Sequence, residues 1–469
     1  MERVIMTMKR SERKMTARGP AALHKEDLRS LFEKSDGAAE RIGIEIENAV
    51  VDPATGRAVP YHGSNGVGSL VLAIIEEFGG EPIFDGDHVT GMRHDSGIQI
   101  TLEHGGALEY SSAPHDDVVS VIADTRAVLT RAAELARRLG LAILPGANMP
   151  FNTVADVPFV DKPRGAIMRE FFARIGDAGA WATTVMGATL STQVTLDYLS
   201  EEDLVEKLRM QVAASPVIAG LFVNSPLEGG KLTGLLSRRT QCWLKTDPRR
   251  CGVLAPALKE EMRIDHFVEW AMALPMIYHL AQDGTYRHAP DRPFGALLTE
   301  GFADGTKPTM NDWISHLSQI WTDVRLRQTL ELRVADGPAY PDIPAVPALW
   351  VGLTYHPASR AAAWELLRHY TVDEHRAAMP EVAVQGLAAR LGGDSLHDLA
   401  RELVRLADAG LSARIRAGLE QPEVLSYLDP IKEVISTGVT FAQRCIQRWE
   451  HDLQRSPQRY VDAYRLMGP

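Results

Sequence analysis

The 469-residue sequence predicts an α+β fold, with strands and helices interspersed rather than alternating as βαβ units. Three observations lead there. Residues 42–46 and 98–102 alternate apolar with polar side chains at a period of two. Residues 118–139 repeat apolar side chains every three or four positions. Strand-like and helix-like stretches then follow one another without the regular order a parallel sheet requires.

Taken in order, residues 24–35 predict a first helix with Leu28, Leu31 and Phe32 on one face. RIGIEIENAVVD follows as a strand, with Ile42, Ile44 and Ile46 on one side and Gly43, Glu45 and Glu47 on the other. SGIQITLEHGGALEYSSAP reads as a hairpin around Gly105-Gly106. The long helix comes next, with Val118, Ile122, Thr125, Leu129, Ala132, Ala136 and Leu139 on its stripe. Asp116 and Asp117 suit its N-terminus and Gly140 its stop. LAILPG predicts a buried strand, and the β-branched residues of TTVMGATLSTQVTLDYL (183–199) predict another. Ser200, with Asp203 three positions on, opens a helix. Residues 225–236 read as a long loop, Arg238 and Arg239 as a loop pair, and QTLELRVADG as a strand. From about residue 356 the chain is rich in Ala, Leu, Arg and Glu, with short helix-like segments and no repeat. No sharp linker divides the chain. We therefore expect a flexible basic arm over 1–20, carrying Arg3, Lys9, Arg10, Arg13, Lys14 and Arg18, and one unit over 21–469.

Composition removes several classes of function. Lys+Arg 50 against Asp+Glu 61 leaves a net charge of −11, which argues against a nucleic-acid-binding surface. No apolar run approaches the roughly 18 residues of a membrane helix, and the basic N-terminus lacks the apolar core of a secretory signal. Cys242, Cys251 and Cys445 are too few and too scattered for a disulfide framework or a zinc site, so a cytoplasmic setting is expected. There is no GxxxxGK[ST] loop, and GSNGVGS (63–69) has the wrong spacing for a dinucleotide fingerprint.

Carboxylates carry the chemistry that remains. Glu45 and Glu47 share one strand face, and Glu103 and Glu109 flank the di-glycine turn. A two-residue turn would send Glu109 to the face opposite Glu103. An odd-length connection would put both on one face. Two carboxylates about 4 Å apart repel by about 4 kcal/mol at an effective dielectric of about 20. A cofacial set therefore needs protons or cations, and oxygen-only ligands select a hard cation, Mg²⁺ or Mn²⁺. Glu331 is a fifth candidate, two residues before Arg333; the pair fits a surface cross-strand contact or a site for metal and phosphate. Arg238 and Arg239 suit an anionic substrate, because a guanidinium grips a carboxylate through two hydrogen bonds.

GIEIEN, LEHGGALEYSSAP, TQVTLDY, LFVNSPLEGGKLTGLLSRRTQCW and DWISHLSQIW with VRLRQTLELRVADG occur in one order. Together they resemble the glutamate–cysteine ligase family, in the branch of plants, proteobacteria and the actinobacterial ergothioneine-pathway enzymes. The likeness spans about residues 40 to 355. It implies a glutamine-synthetase-like curved antiparallel sheet forming a funnel, covered by helices. It implies an ATP-dependent ligase in which the γ-carboxylate of L-glutamate is phosphorylated and then attacked by the amino group of L-cysteine. The partners implied are small molecules alone: glutamate, an amino acid acceptor and ATP. By the same resemblance Glu45, Glu47, Glu103, Glu109 and Glu331 are the Mg²⁺ ligands, and Gln193 and Arg333 meet the transferred phosphate. Arg239 grips a carboxylate of glutamate, Trp243 walls the pocket, and Arg164 and Met168 match an RxxxM segment.

Some positions depart from the plant-type pattern. Thr195 stands for Asn, Gly165 for Tyr and Arg238 for Met, and ADGPAYP is rearranged. A lost hydroxyl near a pocket changes discrimination far more than a lost methylene. A second reading therefore keeps the γ-glutamyl chemistry with a different amino acid or amine as acceptor.

Overall fold

The computed structural model describes residues 23–35 and 37–467. The basic arm expected over residues 1–20 lies outside them. Among the described residues nine strands form the main sheet: β1 (Ile42–Val51), β2 (Glu81–Asp85), β3 (His88–Arg93), β4 (Gln99–Leu102), β5 (Leu108–Ser111), β6 (Ala142–Pro145), β7 (Thr192–Leu196), β8 (Val324–Leu326) and β9 (Leu330–Leu332). Their order is β8-β9-β7-β1-β5-β4-β3-β2, with β6 pairing the second half of β1. Every pairing in this sheet is antiparallel.

Alternation does what period two requires. Ile42, Ile44, Ile46, Ile100, Leu102, Leu108, Tyr110, Val194 and Leu196 are buried on one face. Beyond Asn48 the alternation stops, because β6 joins the edge that β7 vacates and residues 48–51 are all buried. The helices Val118–Arg138, Glu201–Leu221 and Ala345–Thr354 pack over the apolar face. All residues of Ala345–Thr354 are buried, as expected of a helix that is hydrophobic all round.

Local signals place several boundaries. The side chain of Asp117 accepts from the Ser120 amide at 2.9 Å and caps the long helix, and Gly140, at φ +72°, ends it. Ser200 accepts from the Asp203 amide at 3.2 Å. Other segments differ from expectation. Residues 25–32 form a 3₁₀ rather than an α-helix, although Leu28, Leu31 and Phe32 are buried. Only Thr192–Leu196 of the β-branched stretch is a strand, since Ala182–Ala188 is helical and packs Ala182 and Met186 against Phe171 and Phe172. Tertiary packing outweighs β propensity there. Within residues 225–236, Leu227–Glu228 and Lys231–Leu232 pair as a hairpin, with Gly229 and Gly230 both at positive φ.

Beyond residue 356 the helices include Pro357–Leu367, Val372–Gln385 and the 21-residue Leu396–Arg416. The last is longer than the short segments expected, because Ala400, Ala407 and Gly410 sit on its buried stripe and dilute the apolar signal.

Glu420 ties this region to the N-terminus of the long helix Val118–Arg138. Its carboxylate accepts from the Val118 amide at 3.1 Å and lies 3.5 Å from Arg414. Burial outweighs both contacts and pushes its pKa from the usual 4.5 up to about 7. Between those two values the native state binds more protons than the unfolded chain, so this group's contribution to stability falls as pH rises through that window. Glu420→Gln keeps the acceptor and removes the charge. Its melting temperature should match the parent near pH 5 and exceed it increasingly towards pH 8; thermal melts across that range test this.

Candidate active site

The polar face of the sheet forms the floor of a cavity of about 440 Å³. Register brings the carboxylates together: Glu47 lies directly opposite Glu109, and Glu45 sits between Ser111 and Gln193. The hairpin settles the position of Glu103. Leu102 pairs with Leu108, and the Glu103 amide donates to the Ala107 carbonyl at 2.8 Å, so the connection is the three residues 104–106. That odd length puts Glu103 and Glu109 on one face. Gly106 takes the left-handed position of this turn at φ +79°. Gly105 has no room for a side chain, because a Cβ there would stand 1.9 Å from the Gly187 carbonyl oxygen.

Crowding shows in the acidities. Burial, then the charge of Glu331, pushes Glu45 up to about 7. Burial, then Glu103, pushes Glu47 up to about 7. Glu109 is driven well above the usual range by burial and then by Glu103, Glu45 and Glu47, although Thr101 donates to it at 3.0 Å. This all-oxygen set fits a hard divalent cation, whose charge would take over the neutralisation that protons otherwise supply. Among the described residues, no three His, Cys, Asp or Glu side chains converge on a single ion position.

Glu331 stands apart from the other four. It is wholly buried, and three guanidiniums occupy its carboxylate. Arg325, opposite it on β8, donates to both oxygens at 2.7 and 2.9 Å; Arg327 donates at 2.6 Å, and Arg333 also pairs with it. Despite burial these arginines hold its pKa well below the usual carboxylate range. It is therefore neither an exposed cross-strand residue nor an open ligand, but the counter-ion of an arginine cluster.

Gln193 links the two groups, since its Nε2 donates to Glu47 at 3.3 Å and its Oε1 accepts from Arg333 at 2.5 Å. Arg238 and Arg239 are buried in the short helix Arg238–Trp243, which Ser237 caps, rather than in a loop. Arg238 is tied to Glu228 at 3.1 Å and lies over the Trp181 ring at 3.8 Å. Arg239 lines the cavity with Trp243, held by the Arg333 carbonyl at 2.7 Å and the Val334 carbonyl at 3.3 Å. Arg164 and Met168 also line the cavity, with Arg164 3.6 Å from Asp85.

Of the charged and imidazole side chains lining the cavity, sequence reasoning missed Arg325, Arg327 and His104. The two arginines had a signal, because Arg325, Arg327, Glu331 and Arg333 alternate on one face of a hairpin. His104 had none. Its ring fills the space beside Gly165, where a Cβ would lie 2.8 Å from Nδ1. Burial, with Lys162 and Arg164 nearby, holds it neutral by lowering its pKa well below 6.5.

Glu331→Gln should cost about 3–5 kcal/mol, because it leaves buried guanidiniums without their counter-ion. Urea denaturation measures this; a loss under about 1 kcal/mol would mean that the arginine cluster does not depend on Glu331.

The comparisons with known proteins follow the same lines. The model of glutamate–cysteine ligase family 2 matches residues 41–460. The chloroplastic glutamate–cysteine ligase of Nicotiana tabacum is 30% identical over 438 residues, covering 92% of this chain and 81% of its own. Glutamate–cysteine ligase B of Oryza sativa subsp. japonica, also chloroplastic, is 31% identical over 438 residues, 92% of this chain and 86% of its own. Among solved structures, the glutamate–cysteine ligase of Francisella tularensis in complex with AMP superposes with a TM-score of 0.56 at 14% identity, covering 92% of this chain and 88% of that one. A bifunctional glutathione synthetase from Pasteurella multocida gives 0.51 at 15%, covering 94% and 53%. These two likenesses carry the fold alone, an antiparallel sheet with helices packed over its apolar face. With the family model matched across nearly the whole chain and the relatives aligned over most of their length, the chain belongs to glutamate–cysteine ligase family 2.

Proposed function

We propose that the chain is an ATP-dependent carboxylate–amine ligase. It joins the γ-carboxylate of L-glutamate to the amino group of L-cysteine through a γ-glutamyl phosphate, giving γ-glutamylcysteine, ADP and phosphate for glutathione or ergothioneine assembly. The observation that carries this reading is the juxtaposition, in one cavity of a family member, of four carboxylates with Arg325, Arg327, Arg333 and Arg239. Phosphoryl transfer asks for charge neutralisation and positioning more than for covalent help, and both are built into this floor.

Glu45, Glu47, Glu103 and Glu109 would hold Mg²⁺ or Mn²⁺. Such an ion, when bound, neutralises phosphate charge and orients the nucleotide. Arg333, steadied by Gln193 and Glu331, presents its guanidinium to the transferred phosphoryl group. Arg239 is fixed by backbone carbonyls before any ligand arrives, so gripping a substrate carboxylate costs little side-chain entropy. Trp243 and Met168 add apolar surface to the cavity lining.

The second reading, a different amine acceptor, is favoured by one observation. His104 and Gly165 occupy each other's space at the cavity wall, which gives the pocket a neutral imidazole.

One reaction separates the two. The protein, MgATP and glutamate are incubated with an equimolar mixture of amino acids, and products are read by mass spectrometry. A dominant γ-glutamylcysteine peak is expected; another γ-glutamyl product would reassign the acceptor. In the same assay Glu109→Gln should lower turnover by roughly 10²–10³-fold, the scale of one preorganised electrostatic contact. Unchanged turnover would remove Glu109 from the cation site.

A further inference from the structure

A second cavity, of about 320 Å³, adjoins the first and shares Arg239, Trp243, Trp321 and Arg333 with it. Its remaining walls are largely apolar, with Leu244, Val253, Met379 and Pro380 among them. Among the described residues one acidic side chain lines it: Asp323.

The sheet register fixes where Asp323 stands. Val324 pairs with Leu332 on the core face, and the Arg333 amide donates to the Asp323 carbonyl at 3.0 Å. Asp323 and Arg333 are therefore cross-strand neighbours on the same face, with Cβ atoms about 5 Å apart by strand geometry. Every other charged group of this β8–β9 ladder is spent on Glu331. The Asp323 side chain makes no hydrogen bond or ion pair among the described residues. Arg239 and Arg333 offset the cost of this half-buried carboxylate through space, with Arg376 also on the cavity wall, but no described side chain donates to it, so its oxygens are free to accept from an incoming ammonium. Burial raises its pKa to about 6 even with Arg239 and Arg333 nearby.

We propose that this second cavity is the acceptor subsite: Asp323 binds the ammonium of the incoming amine beside Arg333, and the apolar walls take the acceptor's compact apolar or thiol side chain. The inference rests on the ligase reading above and assigns the acceptor half of that site. Asp323 takes one proton from the ammonium and so frees the nitrogen lone pair. That pair forms the C–N bond at the γ-carbonyl carbon of the γ-glutamyl phosphate. The C–O bond to phosphate breaks with its electron pair, the amine's second proton leaves with the phosphate, and Asp323 returns its own proton to water.

The test uses two nucleophiles. Hydroxylamine is uncharged near neutral pH and traps the acyl phosphate as a γ-glutamyl hydroxamate without needing an ammonium anchor. For Asp323→Asn, KM for cysteine should rise by about tenfold or more, with KM for glutamate and ATP and the hydroxamate rate within about threefold of the parent. Val253→Trp, which fills the cavity without touching Asp323's charge, should give the same split and decides the matter if Asp323→Asn does not melt cooperatively. An unchanged KM for cysteine, or equal losses with both nucleophiles, overturns the proposal. Absence of hydroxamate from the parent protein overturns the ligase reading itself.

Discussion

Electrostatic repulsion among Glu45, Glu47, Glu103 and Glu109 is the constraint to which the rest of the site answers. Glu47 and Glu109 face each other across two paired strands, and Glu45 and Glu103 extend the same face. At such separations, in surroundings drier than water, each pair costs several kcal/mol when both members are ionised. A sheet can carry this face only if its other face is strongly stabilising and if positive charge lies close by. Ile42, Ile44, Ile46, Val194 and Leu196 supply the first condition, and Arg333, Arg325 and Arg327 the second.

The arginines bring the opposite difficulty, and Glu331 resolves it. Three guanidiniums held this near one another would repel as strongly as the carboxylates do. A single buried carboxylate accepts from all three, leaving the cluster with net positive charge beside the acidic floor. Gln193 then spans the boundary, donating to Glu47 and accepting from Arg333. The polarity of the cavity thus runs across the sheet, acidic over β1, β4 and β5 and basic over β8 and β9. A substrate carrying phosphate at one end and an amine or metal at the other fits that gradient.

Close backbone approach gives the site its walls. The hairpin turn at Gly105 meets Gly187 with no room for a methyl group, and the helix that begins at Pro163 meets His104 at Gly165. These contacts join segments far apart in the chain, so the wall depends on helices that local sequence does not announce. Cys242, Cys251 and Cys445 are free and buried, and they contribute packing rather than a covalent tie.

By itself the sequence determined which side chains share a strand face, since period two is a property of the extended chain. That was enough for the alternation of β1, for the caps at Asp117 and Ser200, and for the order of motifs that marks the family. It left open whether Glu103 and Glu109 are cofacial, because register depends on a turn whose length composition does not specify. The β-branched run before β7 could not reveal that Ala182–Ala188 would be helical, as the deciding contacts lie with Phe171 and Phe172. Nor could spacing show that Glu331 is claimed by three arginines, that Arg239 faces the cavity while Arg238 turns to Trp181, or that Asp323 is left alone beside Arg333. Those outcomes turn on pairings between strands and helices distant in sequence, and only the tertiary structure decides which charges meet.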